Sequence, residues 1–135
     1  MIWHGDKVLR NPTNAELARI VGLPVPDSVA DAAQDVCNLV VVGAGPAGLA
    51  ASVYGASDGL NTVTLESIAA GGQASTSSRI ENYLGFPAGI SGSELAERAV
   101  IQAGKFGARI LVSAEVTGLG SEAGNHVLRL ADGGA

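Results

Sequence analysis

The sequence predicts an α/β fold: a doubly wound parallel sheet with helices between its strands, followed by a small antiparallel β-hairpin. Three observations predict it. An apolar run, Leu39-Val40-Val41-Val42, breaks into Gly43-x-Gly45-x-x-Gly48 and resumes as an Ala-rich segment, which is a strand, a tight turn and a helix start. Two further β-rich segments, 61–65 and 109–112, each follow a stretch able to form a helix. The segments around Gly124-Asn125 alternate apolar and polar residues as a hairpin does.

Taken in order, Met1 to Trp3 and Val8 to Arg10 read as a hairpin closed by a Gly-Asp turn. A short helix follows, with Thr13-x-x-Glu16 as a capping box, Leu17, Ile20 and Val21 as its apolar stripe, and Gly22 with Pro24 as its end. A hairpin and one helix bury too little surface to stand alone, so residues 1–23 read as the remnant of a larger domain. Residues 24–36, with two closely spaced prolines and three aspartates, read as a linker. Residues 37–135 then read as the main domain.

Each glycine of the turn has a physical role in holding a dinucleotide. Gly43 allows the turn, Gly45 lets a pyrophosphate approach bare backbone at a helix N-terminus, and Gly48 lets the helix pack close on the strand. Pro46 stands early in the helix, where its missing N–H costs nothing, and Ala47 to Ala56 is rich in small residues until Asp58-Gly59 stops it. The second strand, Asn61 to Leu65, ends in Glu66, 23 residues after Gly43, which places a carboxylate where a ribose diol can donate to it. The competing reading is a glycine-rich packing turn, which does not require Glu66 at that spacing.

Ser67 to Ile90 lacks sustained periodicity and is rich in Gly and Ser. Its paired glycines, Gly71 and Gly72, permit close approach of backbone to a flat ring, while the amides of Gln73 and Asn82 donate and accept in one plane, as the heteroatom edge of a flavin requires. A polar surface loop is the alternative. Ser91-x-x-Glu94 caps the next helix, whose stripe is Leu95, Ala99, Gln102 or Ala103, and Phe106, and Gly107 ends it. Arg109 to Val112 makes the third strand, and Glu115 to Leu119 and His126 to Leu130 form the hairpin.

Composition excludes several classes. A net charge of −5 without a basic cluster argues against a nucleic-acid partner. No apolar run approaches a bilayer span and no signal peptide is legible, so the expected setting is cytoplasmic, without a membrane. The one cysteine, Cys37, cannot make an internal disulfide or a thiolate metal site, and reads as a small buried residue, with a reactive thiol as the alternative. His4 and His126 have no metal-ligand spacing, so no metal is expected.

From Leu39 to about Leu130 the sequence resembles the FAD-binding half of the low-molecular-weight thioredoxin reductase family, with the Rossmann-like fold that this implies. The resemblance rests on the glycine turn with Glu66 together with Gly71-Gly-Gln73, the nine-residue interval Ala74 to Asn82, and Ile80-Glu-Asn-Tyr-x-Gly85. Leu84 stands where many members have Pro, and Ser67 to Ala70 replaces a more polar stretch. The resemblance implies that Gly43, Gly45, Pro46, Ala47 and Gly48 meet the FAD pyrophosphate, Glu66 the adenosine ribose, Gly71, Gly72, Gln73 and Asn82 the isoalloxazine region, and the backbone near Val116 the adenine. Residues 3–23 resemble the last hairpin and helix of a thioredoxin- or glutaredoxin-like domain.

The family's NADPH-binding domain and Cys-x-x-Cys have no counterpart here, so the chain is expected to be a fragment without catalytic residues of its own. In the complete enzyme NADPH would reduce FAD, and the flavin a disulfide on a thioredoxin-like protein or fused domain; a homodimer is among the assemblies the resemblance allows. A ferredoxin-reductase-like flavin enzyme without a redox disulfide, and a non-catalytic nucleotide-binding or interaction module, are the competing functions.

Overall fold

The computed structural model describes residues 36–133, together with the backbone of two short N-terminal strands, β1 (Ile2–Trp3) and β2 (Lys7–Val8). Those two pair antiparallel, Ile2 opposite Val8 and Trp3 opposite Lys7. The helix expected over residues 13–22 and nearly all of the expected linker lie outside the described residues.

The main domain runs β3 (Leu39–Val42), α1 (Pro46–Ser57), β4 (Thr62–Glu66), α2 (Gly92–Lys105), β5 (Arg109–Val112), β6 (Val116–Glu122) and β7 (Asn125–Leu130). Strands β3, β4 and β5 form one parallel sheet in that spatial order, with Val41 opposite Thr64 and Thr64 opposite Ile110. Alternation along β4 then decides what each face carries. Thr62 and Thr64 face the helices: α1 and α2 pack on each other, Ser52 of α1 reaches Thr64, and Ala56, Ala103 and Ala108 form a small-residue cluster with Val53 and Ile110 packed against it. Val63 and Leu65 face the other way, where Ala114 and Leu130 cover them and Cys37, Leu111, Val116 and Leu128 pack around the cluster. The hairpin thus fills the face that the helices leave.

That arrangement corrects one expectation. The run Leu39 to Val42 reads as a strand covered on both faces, yet Val40 and Val42 are 40% and 58% exposed. Their register pairs them with Val63 and Leu65, so they lie on the hairpin's side of the sheet. The hairpin covers β4 and β5, and among the described residues β3 is an edge.

The α2 cap is as expected, with Ser91 Oγ accepting the Glu94 N–H at 3.3 Å. Its buried face is Gly92, Leu95, Ala96 and Ala103; Ala99 is half-buried, while Gln102 and Phe106 are exposed. Phe106 drops out of the stripe because it is the C-cap residue, past the last helical turn, where the Lys105 ammonium lies 5.7 Å from its ring centre. In the hairpin, Glu122 pairs with Asn125, so the two-residue turn is Ala123-Gly124, one position before the expected Gly124-Asn125. Both central residues have positive φ, 48° and 85°, which is what a tight hairpin turn requires.

The aperiodic segment between β4 and α2 is held by backbone hydrogen bonds. It contains a 3₁₀ helix, Gly72–Thr76, and Ile80 and Ile90 exchange N–H···O bonds of 2.7 and 3.0 Å that close a loop of its own. Within that loop Arg79 donates to the Ala88 carbonyl at 3.0 Å.

Candidate functional site

The site lies where β3 gives way to α1, and its backbone polar groups are directed one residue at a time. Gly43, at φ +97°, donates its N–H to the Leu65 carbonyl at 2.7 Å, which ends the β3–β4 ladder. Ala44 is fully buried, its N–H donating to Glu66 Oε2 at 2.8 Å and its carbonyl accepting the Gly71 N–H at 2.7 Å. Gly45 is the N-cap, with extended backbone, and its carbonyl accepts the Leu49 N–H at 2.9 Å. Pro46 opens the helix; no side chain caps this end and no acidic residue stands in its first turn. The amides of Ala47 and Gly48 are therefore first-turn donors without intrahelical partners, at the positive end of the helix dipole.

The glycines differ in what they permit. A methyl on Gly45 would meet no atom within 4 Å, so that Cβ position is open space in front of the helix end. One on Gly48 would overlap the Gly43 carbonyl oxygen, which shows how closely α1 sits on the turn. A Cβ on Gly72 would stand 3.3 Å from Gly45 Cα, so the two glycine segments touch, and Gly71, at φ +105°, is wedged where a Cβ would lie 2.7 Å from Ala96 Cβ.

Glu66 closes the group from the end of β4. Besides Ala44, its carboxylate accepts the Ile68 N–H at 3.0 Å and the Ser67 hydroxyl at 3.2 Å, both on Oε1. Partial burial pushes the Glu66 carboxyl up, but the hydrogen bonds from Ile68, Ala44 and Ser67 outweigh it and hold the group below its ordinary value of 4.5. It is ionised at neutral pH and acts only as an acceptor.

Gly43, Gly45, Pro46, Ala47, Gly48, Glu66, Gly71 and Gly72 thus come together around Ala44, a residue the motif reading passed over. Ala44 acts through its backbone, which its side-chain type does not advertise. Gln73 and Asn82 are both exposed: Gln73 lies in the 3₁₀ helix, and Asn82 precedes Tyr83, whose ring is 6.2 Å from that of Phe86. Arg98 of α2, paired with Glu94, stands 5.7 Å from the Phe86 ring centre and ties that loop to the helix. Val116 pairs with Leu130 and packs its side chain against the core, which leaves its backbone as the only part that a ligand could meet as expected.

Cys37 is half-buried against the same core, with Arg109 Nη2 at 3.7 Å from its sulfur, and His126 is exposed on β7. Among the described residues no three His, Cys, Asp or Glu side chains gather as a metal site, and no helix is long and apolar enough to cross a membrane.

No family model matches the chain. The NADPH-dependent thioredoxin reductase 3 of Arabidopsis thaliana is 34% identical over 116 residues, a match covering 78% of this chain and 22% of that protein. Among solved structures, an atypical thioredoxin reductase from Desulfovibrio vulgaris Hildenborough is 38% identical with a TM-score of 0.62, over 70% of this chain and 31% of that one. The thioredoxin reductase of T. acidophilum is 36% identical with a TM-score of 0.66, over 71% and 31%. These three are thioredoxin reductases, of each of which this chain spans less than a third, and the fold is their Rossmann-like α/β fold.

Proposed function

We propose that this chain, a homologue of part of the thioredoxin reductases, is the FAD-binding portion of an NADPH-dependent flavoprotein oxidoreductase that moves electrons from NADPH through FAD to a protein disulfide. One observation carries the reading: the glycine turn, Glu66 and the Gly71-Gly72 segment, far apart in sequence, meet at Ala44, beside a helix start that no side chain caps and where the Gly45 Cβ position is open. That donor set fits a dinucleotide. Ala47 and Gly48 would hold the pyrophosphate with backbone N–H groups, Glu66 would accept from the adenosine ribose, and the backbone near Val116 would meet the adenine. Gly71, Gly72, Gln73 and Asn82 would face the isoalloxazine, their amides orienting its polar edge.

Bound FAD supplies the two-electron redox chemistry, while the protein contributes position and electrostatics. A thioredoxin-type protein or fused domain is the disulfide partner, residues 1–23 derive from such a domain, 24–36 are its linker, and a cytoplasmic homodimer without nucleic-acid or membrane partners is the assembly we expect.

The test is a titration of the chain with FAD, followed by flavin fluorescence and visible absorbance. Saturable binding with a shifted flavin spectrum is expected; no binding at millimolar FAD rejects the reading. Gln73→Ala and Asn82→Ala should each move the bound spectrum, and unchanged spectra in both would remove the loop from the flavin site.

A further inference from the structure

The resemblance gives Glu66 one task, accepting from a ribose, but three of about four lone-pair directions of its carboxylate are in use before any sugar arrives. Oε2 takes the Ala44 N–H; Oε1 takes the Ile68 N–H and the Ser67 hydroxyl. Ala44 is fully buried, so its N–H has no access to water if that acceptor is lost. The same residue's carbonyl holds the Gly71 N–H, so whatever fixes Ala44 also fixes the start of the Gly71-Gly72 segment against Gly45.

Resting on the proposed dinucleotide site, we infer that Glu66 is a positioning residue for the phosphate turn: its carboxylate brackets Ala44 and Ile68, and sets the turn and the Gly71-Gly72 segment in their binding arrangement before ligand arrives. Charge and reach both matter. A glutamine of the same shape has one acceptor oxygen and turns its NH2 group toward either the Ala44 or the Ile68 N–H, placing donor against donor. A residue that acted on the ribose alone would have no effect on the ligand-free chain, or on a ligand without ribose hydroxyls.

Three measurements test this. Amide hydrogen exchange on the ligand-free chain compares Ala44 and Ile68 with Ala108, whose N–H donates to Ala103 outside the site. In Glu66→Gln whichever of the Ala44 and Ile68 amides faces the NH2 group should exchange about tenfold faster relative to Ala108, as loss of one hydrogen bond to a charged group implies; unchanged ratios for both amides overturn the bracket. In the unsubstituted chain the Ala44 and Ile68 amide proton resonances should follow one shared acid titration, and resonances that do not move together overturn it without any variant. An FAD analogue whose adenosine lacks both ribose hydroxyls should bind Glu66→Gln about tenfold more weakly than it binds the unsubstituted chain; equal affinity reduces Glu66 to a ribose contact. Should FAD itself fail to bind, the proposed function falls, while the exchange and titration results still decide the bracket.

Discussion

Gly45→Ala separates access to the site from stability of the fold. Gly45 is an N-cap with φ −71° and ψ 179°, a conformation any residue adopts, and a methyl there touches nothing within 4 Å. Alanine is a poorer N-cap than glycine by up to about 1 kcal/mol, and stiffening the unfolded chain returns roughly 0.4–1 kcal/mol. The net change in stability should stay within about 1 kcal/mol. Binding should behave differently, because the new methyl occupies the open space through which an anion reaches the first-turn amides. Losing one charge-assisted hydrogen bond of about 1.5–3 kcal/mol weakens FAD roughly 10- to 100-fold. Urea unfolding gives the first quantity and flavin fluorescence titration the second. Gly48→Ala is the contrast, since its methyl collides with the Gly43 carbonyl, a backbone atom that cannot rotate aside; it should lose about 1–3 kcal/mol of stability. If Gly45→Ala binds FAD as tightly as the unsubstituted chain, the pyrophosphate does not lie at this helix end.

Other outcomes follow from single contacts. Ser52 is fully buried and gives its one proton to the Gly48 carbonyl at 2.7 Å, so the 2.5 Å contact with Thr64 makes Thr64 the donor there. Ser52→Ala strands that buried hydroxyl and should cost about 1–3 kcal/mol in urea unfolding, with Ser52→Ala/Thr64→Val less destabilised than Ser52→Ala alone. Because Glu66 ionises more readily when folded, its contribution to stability is full above the ordinary value of 4.5 and is lost as pH falls through the lowered one. Glu66→Gln should therefore shallow the acid limb of stability against pH; an identical limb in thermal melts refutes the assignment.

Much of the fold is legible because local chemistry and tertiary environment agree. Arg109 to Val112 is a β-rich run bounded by Gly107, and the structure keeps those limits. Glu66 can be found because the distance from Gly43 to the end of the next parallel strand is fixed by one helix and two short turns. What failed depended on neighbours that composition does not name. Val40 and Val42 look buried until the hairpin proves to cover β4 and β5 only, and Phe106 completes a stripe on a helical wheel but stands one residue past the last turn. The Ala123-Gly124 turn was hidden because alanine seldom takes positive φ, and the ladder from Glu122 to Asn125 imposes it. Ala44 escaped notice for a deeper reason: both of its contacts are made by backbone, and any small residue could make them.

The turn's hydrogen bonds also predict how two substitutions combine. Gly43 N–H points back to β4, the N–H and carbonyl of Ala44 point sideways to Glu66 and Gly71, and the Gly45 carbonyl points forward into α1. The first-turn amides of α1 are left as the donors facing open space. Glu66→Gln loosens the frame behind those donors, and Gly45→Ala keeps the anion away from them. Both act through one set of contacts, so once the methyl has removed the contact, loosening the frame has less left to remove. Their free-energy costs for FAD binding should therefore sum to more than the cost of the double variant, by about 0.5 kcal/mol or more. Fluorescence titration of the four proteins closes the cycle. Strict additivity would mean that Glu66 and the helix end act on separate parts of the ligand, as a ribose contact and a pyrophosphate contact with no common frame.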